Sequence, residues 1–244
     1  TCVGATIFQY DYLNDDVTEF GTIDYGLTSK VPLALQQAIA DAKARKKGTK
    51  RILILINPPY AEATSSENAV SGGIDRSKKG VSRSKFALAG MDGYGKASNE
   101  LFTQFLARVH IEMPNAVVAT FSTLKYVNSQ AFEQFRSVWK AKYLGGFVVH
   151  SRAFDGLKGD FPIGFLVWDT AKKMHIEEIH TEVLDRDANL LGDKTFTNIE
   201  SQKLLTTWIK RPATNRTPAL PLKGAVEPAT TTADLRGTRW SDGA

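Results

Sequence analysis

The stretch Arg51-Ile52-Leu53-Ile54-Leu55-Ile56-Asn57-Pro58-Pro59-Tyr60 decides the fold of this chain. Its unbroken aliphatic run, residues 52–56, predicts a strand buried on both faces, as in the interior of a parallel sheet. Two prolines then forbid both a ladder partner and an immediate helix, so the backbone leaving the strand stays extended. In an open α/β sheet, ligands sit just beyond the carboxyl ends of the strands. A stiff turn there, with an amide before it and an aromatic ring after it, suits a flat polar ligand. Asn57 offers an oxygen acceptor, the proline carbonyls have no donor of their own beside them, and Tyr60 offers a stacking face. The residues alone also allow a plain proline turn that closes a strand, with Tyr60 as a lid over the core.

Working outward, residues 5–10 (Ala-Thr-Ile-Phe-Gln-Tyr) predict a strand that ends in the turn-forming cluster Asp11-Tyr12-Leu13-Asn14-Asp15-Asp16. Thr28 and Ser29 are plausible caps for a helix over about 32–46, with Leu35, Ile39 and Ala42 on one face and Gly48 as its stop. After Tyr60, residues 61–96 read as one long irregular loop rich in Ser, Gly and Lys, the length of a lid or binding loop. Ser98 and Asn99 open a helix reaching Glu112, striped by Leu101, Phe105, Leu106 and Val109. A buried strand over 116–121 follows, then a helix over 129–142 and strands over 145–150 and 161–169. One more strand is expected over 174–181 and a short helix over 200–210. The expected organisation is a catalytic part over 1–182, an extension over 183–210 and an extended arm over 211–244. The expected fold class is α/β, a doubly wound parallel sheet that ends in an antiparallel β-hairpin.

The bulk properties limit the possibilities. The chain has 244 residues, enough for one well-cored domain, and its 42% hydrophobic and 23% charged content is ordinary for a soluble protein. No apolar run approaches the roughly 18–20 residues of a membrane span. A single cysteine, Cys2, excludes an internal disulfide and points to a reducing, cytoplasmic setting. A net charge of +5 is compatible with nucleic acid without establishing it. His110, His150, His175 and His180 have no metal-ligand spacing, so no metal site is expected. The opening Thr1-Cys2-Val3-Gly4 lacks a Met and a signal sequence, which reads as a fragment of a longer protein.

Taken in order, these residues resemble the adenine-N6 DNA methyltransferases of restriction-modification systems, in the arrangement where the cofactor half precedes the catalytic half. The resemblance covers residues 5–170. Asn57-Pro58-Pro59-Tyr60 looks like the family's catalytic motif, and Asp11-Tyr12-Leu13 is similar to its acidic-aromatic cofactor motif. Lys96-Ala97-Ser98-Asn99-Glu100-Leu101-Phe102 is similar to the helix opening after the catalytic motif, and Phe154 stands where the family places a ring against the target base. The resemblance implies a partial Rossmann-like methyltransferase fold that acts on DNA with S-adenosylmethionine as cofactor. Asn57 and Pro58 would hold the N6 amine of a flipped adenine, Tyr60 and Phe154 would stack on it, and Asp11 and Tyr12 would hold the cofactor's adenine. Read from the residues alone, Asp11 also fits a turn cap and Phe154 a hairpin aromatic. Arg76, Lys78, Lys79, Arg83 and Lys85 suit phosphate contact, or a solvated insert.

The family's glycine-rich cofactor loop is not in this sequence before Asn57. Its strands would lie between the Asp11 strand and the Ile54 strand, so the chain is expected to bind S-adenosylmethionine weakly or not at all. The missing remainder of the same polypeptide, or a specificity subunit, is the expected partner besides DNA. Two other readings share the motif or its absence: a methyltransferase of a protein glutamine amide or an RNA base, and a degenerate DNA-binding or scaffold subunit.

Overall fold

The computed structural model describes residues 4–62, 83–155, 157 and 160–197. All of them fall in the first of two units into which the chain divides, Thr1–Ser201 and Gln202–Ala244. The described residues build one mixed six-stranded sheet and its helices. In chain order the elements are α1 (Leu33–Lys43), β1 (Leu53–Ile56), α2 (Lys85–Ala89), α3 (Leu101–Glu112), β2 (Val117–Thr123), α4 (Lys125–Asn128), α5 (Glu133–Val138), β3 (Ala141–His150), β4 (Pro162–Lys173), β5 (Glu178–Leu184) and β6 (Leu190–Thr197). The strand order is β1-β2-β4-β3-β5-β6, with β1–β2 and β3–β5 parallel and the other pairs antiparallel. The expected hairpin is therefore present as β3 and β4, and β4 is inserted between β2 and β3.

Register sorts the strand residues onto two faces. Ile54, Val118, Trp168 and Tyr143 lie in line across β1, β2, β4 and β3. That face packs on Phe102, Leu106 and Val109 of α3, on Phe132, and on Phe135 of α5, which together form the main core. Aromatic rings dominate it: Phe102 stacks with Phe132, and Tyr126 meets both Phe135 and Trp168 edge-on. The Trp168 indole N–H donates to the Tyr126 hydroxyl at 3.1 Å, so both buried polar tips are satisfied. Helix α3 is buried on nearly all sides, with Thr103, Gln104 and Arg108 as deep as its apolar residues.

Several sequence expectations need correction. Residues 5–10 form no strand; residues 5–9 are exposed, with Ile7 93% accessible, and among the described residues no ladder partner lies beside them. Strand β1 is not buried on both faces: its pattern alternates, and Leu53 and Leu55 stay 71% and 69% exposed at the sheet edge. The sheet is mixed rather than parallel, and helices cover the Ile54 face. Part of the expected 61–96 loop is helical, since Ser84 caps α2 by accepting from the Ala87 N–H and a 3₁₀ turn spans Gly95–Asn99. The helix over 129–142 is reduced to a 3₁₀ turn at Gln130–Phe132 and the short α5, with β3 already begun at Ala141 and α4 a separate helix before it. Helix α1 starts behind Pro32, not Ser29, whose φ of 55° is left-handed. Strand β5 runs later than expected, and β6 occupies part of the expected 183–210 extension. The expected 200–210 helix and 211–244 arm lie outside the described residues.

His110, near the end of α3, lies against Trp139 with ring centroids 5.5 Å apart, and among the described residues neither His110 Nδ1 nor Trp139 Nε1 has a hydrogen-bond partner. Burial, and then the nearby Lys173 charge, hold its imidazolium form below the ordinary range. The unfolded chain thus takes up a proton near pH 6.5 that the folded chain resists. Stability is full above that pH and falls as the pH drops below about 6.5. Urea midpoints measured from pH 8 to pH 5 are expected to decline most below pH 6.5, and His110→Gln to flatten that decline. A variant with an unchanged pH profile would contradict this account of His110.

Candidate functional site

The site grows from the end of β1. Ile56 lies opposite Thr120 of β2 in register, so Asn57 is the first residue past the carboxyl end of β1 and follows the pair as Phe121 does in β2, two residues before that parallel strand ends. Pro58 is buried and anchors the turn, while Asn57 and Pro59 are exposed and Tyr60 is half-buried. The Tyr60 hydroxyl donates to Asn57 Oδ1 at 2.7 Å, closing the turn on itself. Burial pushes the Tyr60 hydroxyl up to about 12, so it remains a protonated donor at neutral pH.

The exit from the turn is pinned by residues with no motif to announce them. Leu101 N–H, at the start of α3, donates to the Ala61 carbonyl at 3.1 Å, and Glu62 forms an antiparallel bridge with Glu100. Lys125, at the start of α4, sets its ammonium between Glu62 Oε1 at 2.7 Å and Glu100 Oε1 at 2.5 Å. Burial raises the Glu100 carboxyl and Glu62 adds to that, while Lys125 pulls it back. Burial would lower Lys125, but the two carboxylates hold its charge above the ordinary lysine range. One ammonium thus joins three segments far apart in sequence around the proline turn, which is why spacing gave no sign of it.

Phe154 follows β3 and is half-buried. Its ring meets Phe121 edge-on at 5.5 Å, and Phe121 packs against Phe165 at 4.7 Å. Phe154 therefore reaches, through Phe121, the same sheet end as Asn57.

The predicted cofactor pair takes a different form. Asp11 accepts from the Leu13 N–H at 3.2 Å and from Asn14 Nδ2 at 2.9 Å, an Asx turn of its own. Tyr12 lays its ring on Phe105 at 5.5 Å, with the Arg108 guanidinium 4.4 Å from the ring centroid, and its buried hydroxyl has no hydrogen-bond partner among the described residues. Arg108 organises the whole segment. Its fully buried guanidinium donates to the Tyr12 carbonyl, to the Asp15 carbonyl at 3.0 Å, to the Tyr10 hydroxyl at 2.6 Å and to Glu112 at 3.2 Å. Tyr25 donates to the other oxygen of Glu112 at 2.5 Å. Phe86 N–H and Lys85 N–H of α2 bind the Leu13 carbonyl and Asn14 Oδ1, so the segment is held from two helices. As folded, Asp11 and Tyr12 take part in this packing, Asp11 with an exposed side of its own. The Arg108–Glu112 spacing of four was legible as a helix pair; its burial was not.

Of the expected phosphate contacts, Arg76, Lys78 and Lys79 lie outside the described residues. Arg83 donates to Asn99 Oδ1 at 2.6 Å, and exposed Lys85 opens α2. Among the described residues no group of three His, Cys, Asp or Glu could hold a metal, and no helix is long and apolar enough to cross a membrane.

No protein-family model and no curated protein matches this chain. Solved structures similar to it include restriction-modification enzymes and methyltransferase subunits. The ATP-dependent Type ISP restriction-modification enzyme LlaBIII bound to DNA matches at 12% identity over 59% of this chain and 10% of that one, with a TM-score of 0.35. A modification subunit of a putative type I restriction enzyme from Vibrio vulnificus YJ016 matches at 14% over 58% and 27%, with a TM-score of 0.36. A type I methyltransferase subunit from Streptococcus thermophilus matches at 16% over 57% and 27%, with a TM-score of 0.30. The chain spans about a tenth to a quarter of the length of these proteins. Likeness at that level carries no inference about activity or substrate.

Proposed function

We propose that the Asn57-Pro58-Pro59-Tyr60 turn holds the N6 amine of adenine in DNA for methylation, as part of a restriction-modification or phage-defence methyltransferase of Rossmann-like fold. The observation that supports this most is an exposed amide oxygen, Asn57 Oδ1, at the carboxyl end of a parallel strand, with an aromatic hydroxyl 2.7 Å away. Adenine N6 is a poor nucleophile because its lone pair is delocalised into the ring. Asn57 Oδ1 and the Pro58 carbonyl would each accept one of its hydrogens, drawing the nitrogen towards tetrahedral geometry and freeing the lone pair. Fixed dipoles aimed at the charge that develops on N6 then act without reorganising. The buried Pro58 and the Lys125 clamp keep the turn in place for this role. Tyr60 and Phe154 would stack on the flipped base and offset part of its unstacking cost.

S-adenosylmethionine supplies the methyl group in this reading, with Asp11 and Tyr12 proposed to hold its adenine and no glycine-rich cofactor loop in this sequence before Asn57. Calorimetric titration of the 244-residue chain with S-adenosylmethionine is expected to show no micromolar binding, and a micromolar dissociation constant would contradict that. The function itself is tested with the protein expressed from its complete gene and labelled S-adenosylmethionine. Adenine-containing DNA, RNA and a glutamine-bearing protein are offered separately, and label is expected on DNA alone. The aromatic pair Phe121 and Phe154 beside the turn favours a base over a glutamine side chain. Label on protein or RNA instead would move the substrate without moving the turn.

A further inference from the structure

We infer that the Tyr60 hydroxyl is a built-in stand-in for the ligand's amine: it occupies Asn57 Oδ1 in the free protein and competes with whatever amine the turn binds. The inference rests on the amine-binding reading of the turn. It goes beyond a stacking role for Tyr60, because it assigns the hydroxyl a function separate from that of the ring.

The geometry is local. Asn57 and Tyr60 are three residues apart, and two prolines with fixed φ stand between them, so the ring cannot drift far from the amide. The 2.7 Å separation is that of a well-formed O–H···O bond, and the acceptor is the one atom of Asn57 that an amine hydrogen would need. Since the hydroxyl stays protonated well past neutral pH, it remains a donor under all ordinary conditions. An amine arriving at Asn57 Oδ1 therefore exchanges one hydrogen bond for another. The free turn keeps its polar oxygen satisfied and correctly oriented, at a cost in affinity equal to the bond displaced. Releasing the hydroxyl also frees the ring to turn towards the bound base. The Lys125 clamp lies beyond Tyr60 and holds residues 61–62, so the swing is confined to the tyrosine side chain.

Tyr60→Phe separates the two functions, since it keeps the ring and removes the donor. In the free ¹⁵N-labelled chain, the Asn57 side-chain amide resonance is expected to shift in Tyr60→Phe, because its oxygen loses its partner. In titrations with 9-methyladenine, Tyr60→Phe is expected to bind about two- to tenfold more tightly than wild type, the range of one net hydrogen bond. Tyr60→Leu, which lacks the ring, is expected to bind more weakly than either. An unshifted Asn57 resonance, or equal or weaker binding by Tyr60→Phe, overturns the inference. A shifted resonance with no binding by wild type or any variant sinks the amine-binding reading, and the competition with it, while the internal bond stands.

Discussion

Arg108→Ala is expected to destabilise the folded chain by about 3–5 kcal/mol, the range for breaking a buried, hydrogen-bonded charge pair. Arg108 has no accessible surface, and its guanidinium serves two backbone carbonyls, a tyrosine hydroxyl and a carboxylate. Removing it leaves Glu112, 2% exposed, with Tyr25 as its partner among the described residues, takes the donor from the Tyr12 carbonyl and leaves the Asp15 carbonyl with the Tyr10 hydroxyl alone among those residues. The rings of Tyr10 and Tyr12 lose the cation above them as well. The damage is expected to centre on residues 10–16, so backbone amides there should lose exchange protection before those of β2 and β4. Arg108→Met, which fills the space but cannot donate, tests whether charge or volume matters more; it is expected to recover less than half of the loss. Urea denaturation of the three chains measures this, and a loss under about 1 kcal/mol for Arg108→Ala would show that the network is not structural.

Asn57→Ala is expected to lower the rate of methyl transfer by about 10²–10³-fold, the usual effect of removing one fixed hydrogen-bonding group aimed at developing charge. The side chain is exposed and its hydrogen-bond partner among the described residues is Tyr60, so the substitution leaves β1 and the core untouched. Affinity for DNA should change by less than about threefold, because phosphate contacts carry most of it. Single-turnover assays with saturating DNA separate the two effects. A rate within tenfold of wild type would remove Asn57 from the reaction.

The legible part of the fold was the part with strong periodicity. The aliphatic run marked β1, the two closely spaced strands over 145–150 and 161–169 marked the β3–β4 pair, and the stripe through Leu106 and Val109 marked α3. Residues 5–10 misled because a strand pattern states what a segment could bury, not whether a neighbour exists; here Ile7 and the outer side of β1 both lack cover. The broken helix over 129–142 kept its apolar residues in the core while its backbone changed, since Phe132, Phe135 and Trp139 are buried as expected. In the candidate site, the proline turn could be read from four residues in a row. The Lys125 clamp and most of the Arg108 network could not, because apart from Glu112, four residues on from Arg108, their partners lie between 25 and 98 positions away and no local spacing encodes them. Asp11 and Tyr12 carry residue types that suit a ligand; the Asx turn that Asp11 forms was legible beside that reading, and the packing of the Tyr12 ring on Phe105 was not.

The central claim is that the Asn57-Pro58-Pro59-Tyr60 turn holds adenine N6 for methylation. Its most direct measurement is the position of the label after methyl transfer by the protein expressed from its complete gene. The DNA is digested to nucleosides and resolved by mass spectrometry. The expected labelled product is N6-methyl-2′-deoxyadenosine, formed about 10²–10³-fold more slowly with Asn57→Ala; label on deoxycytidine, or N6 label that persists undiminished in Asn57→Ala, would contradict the role of the turn.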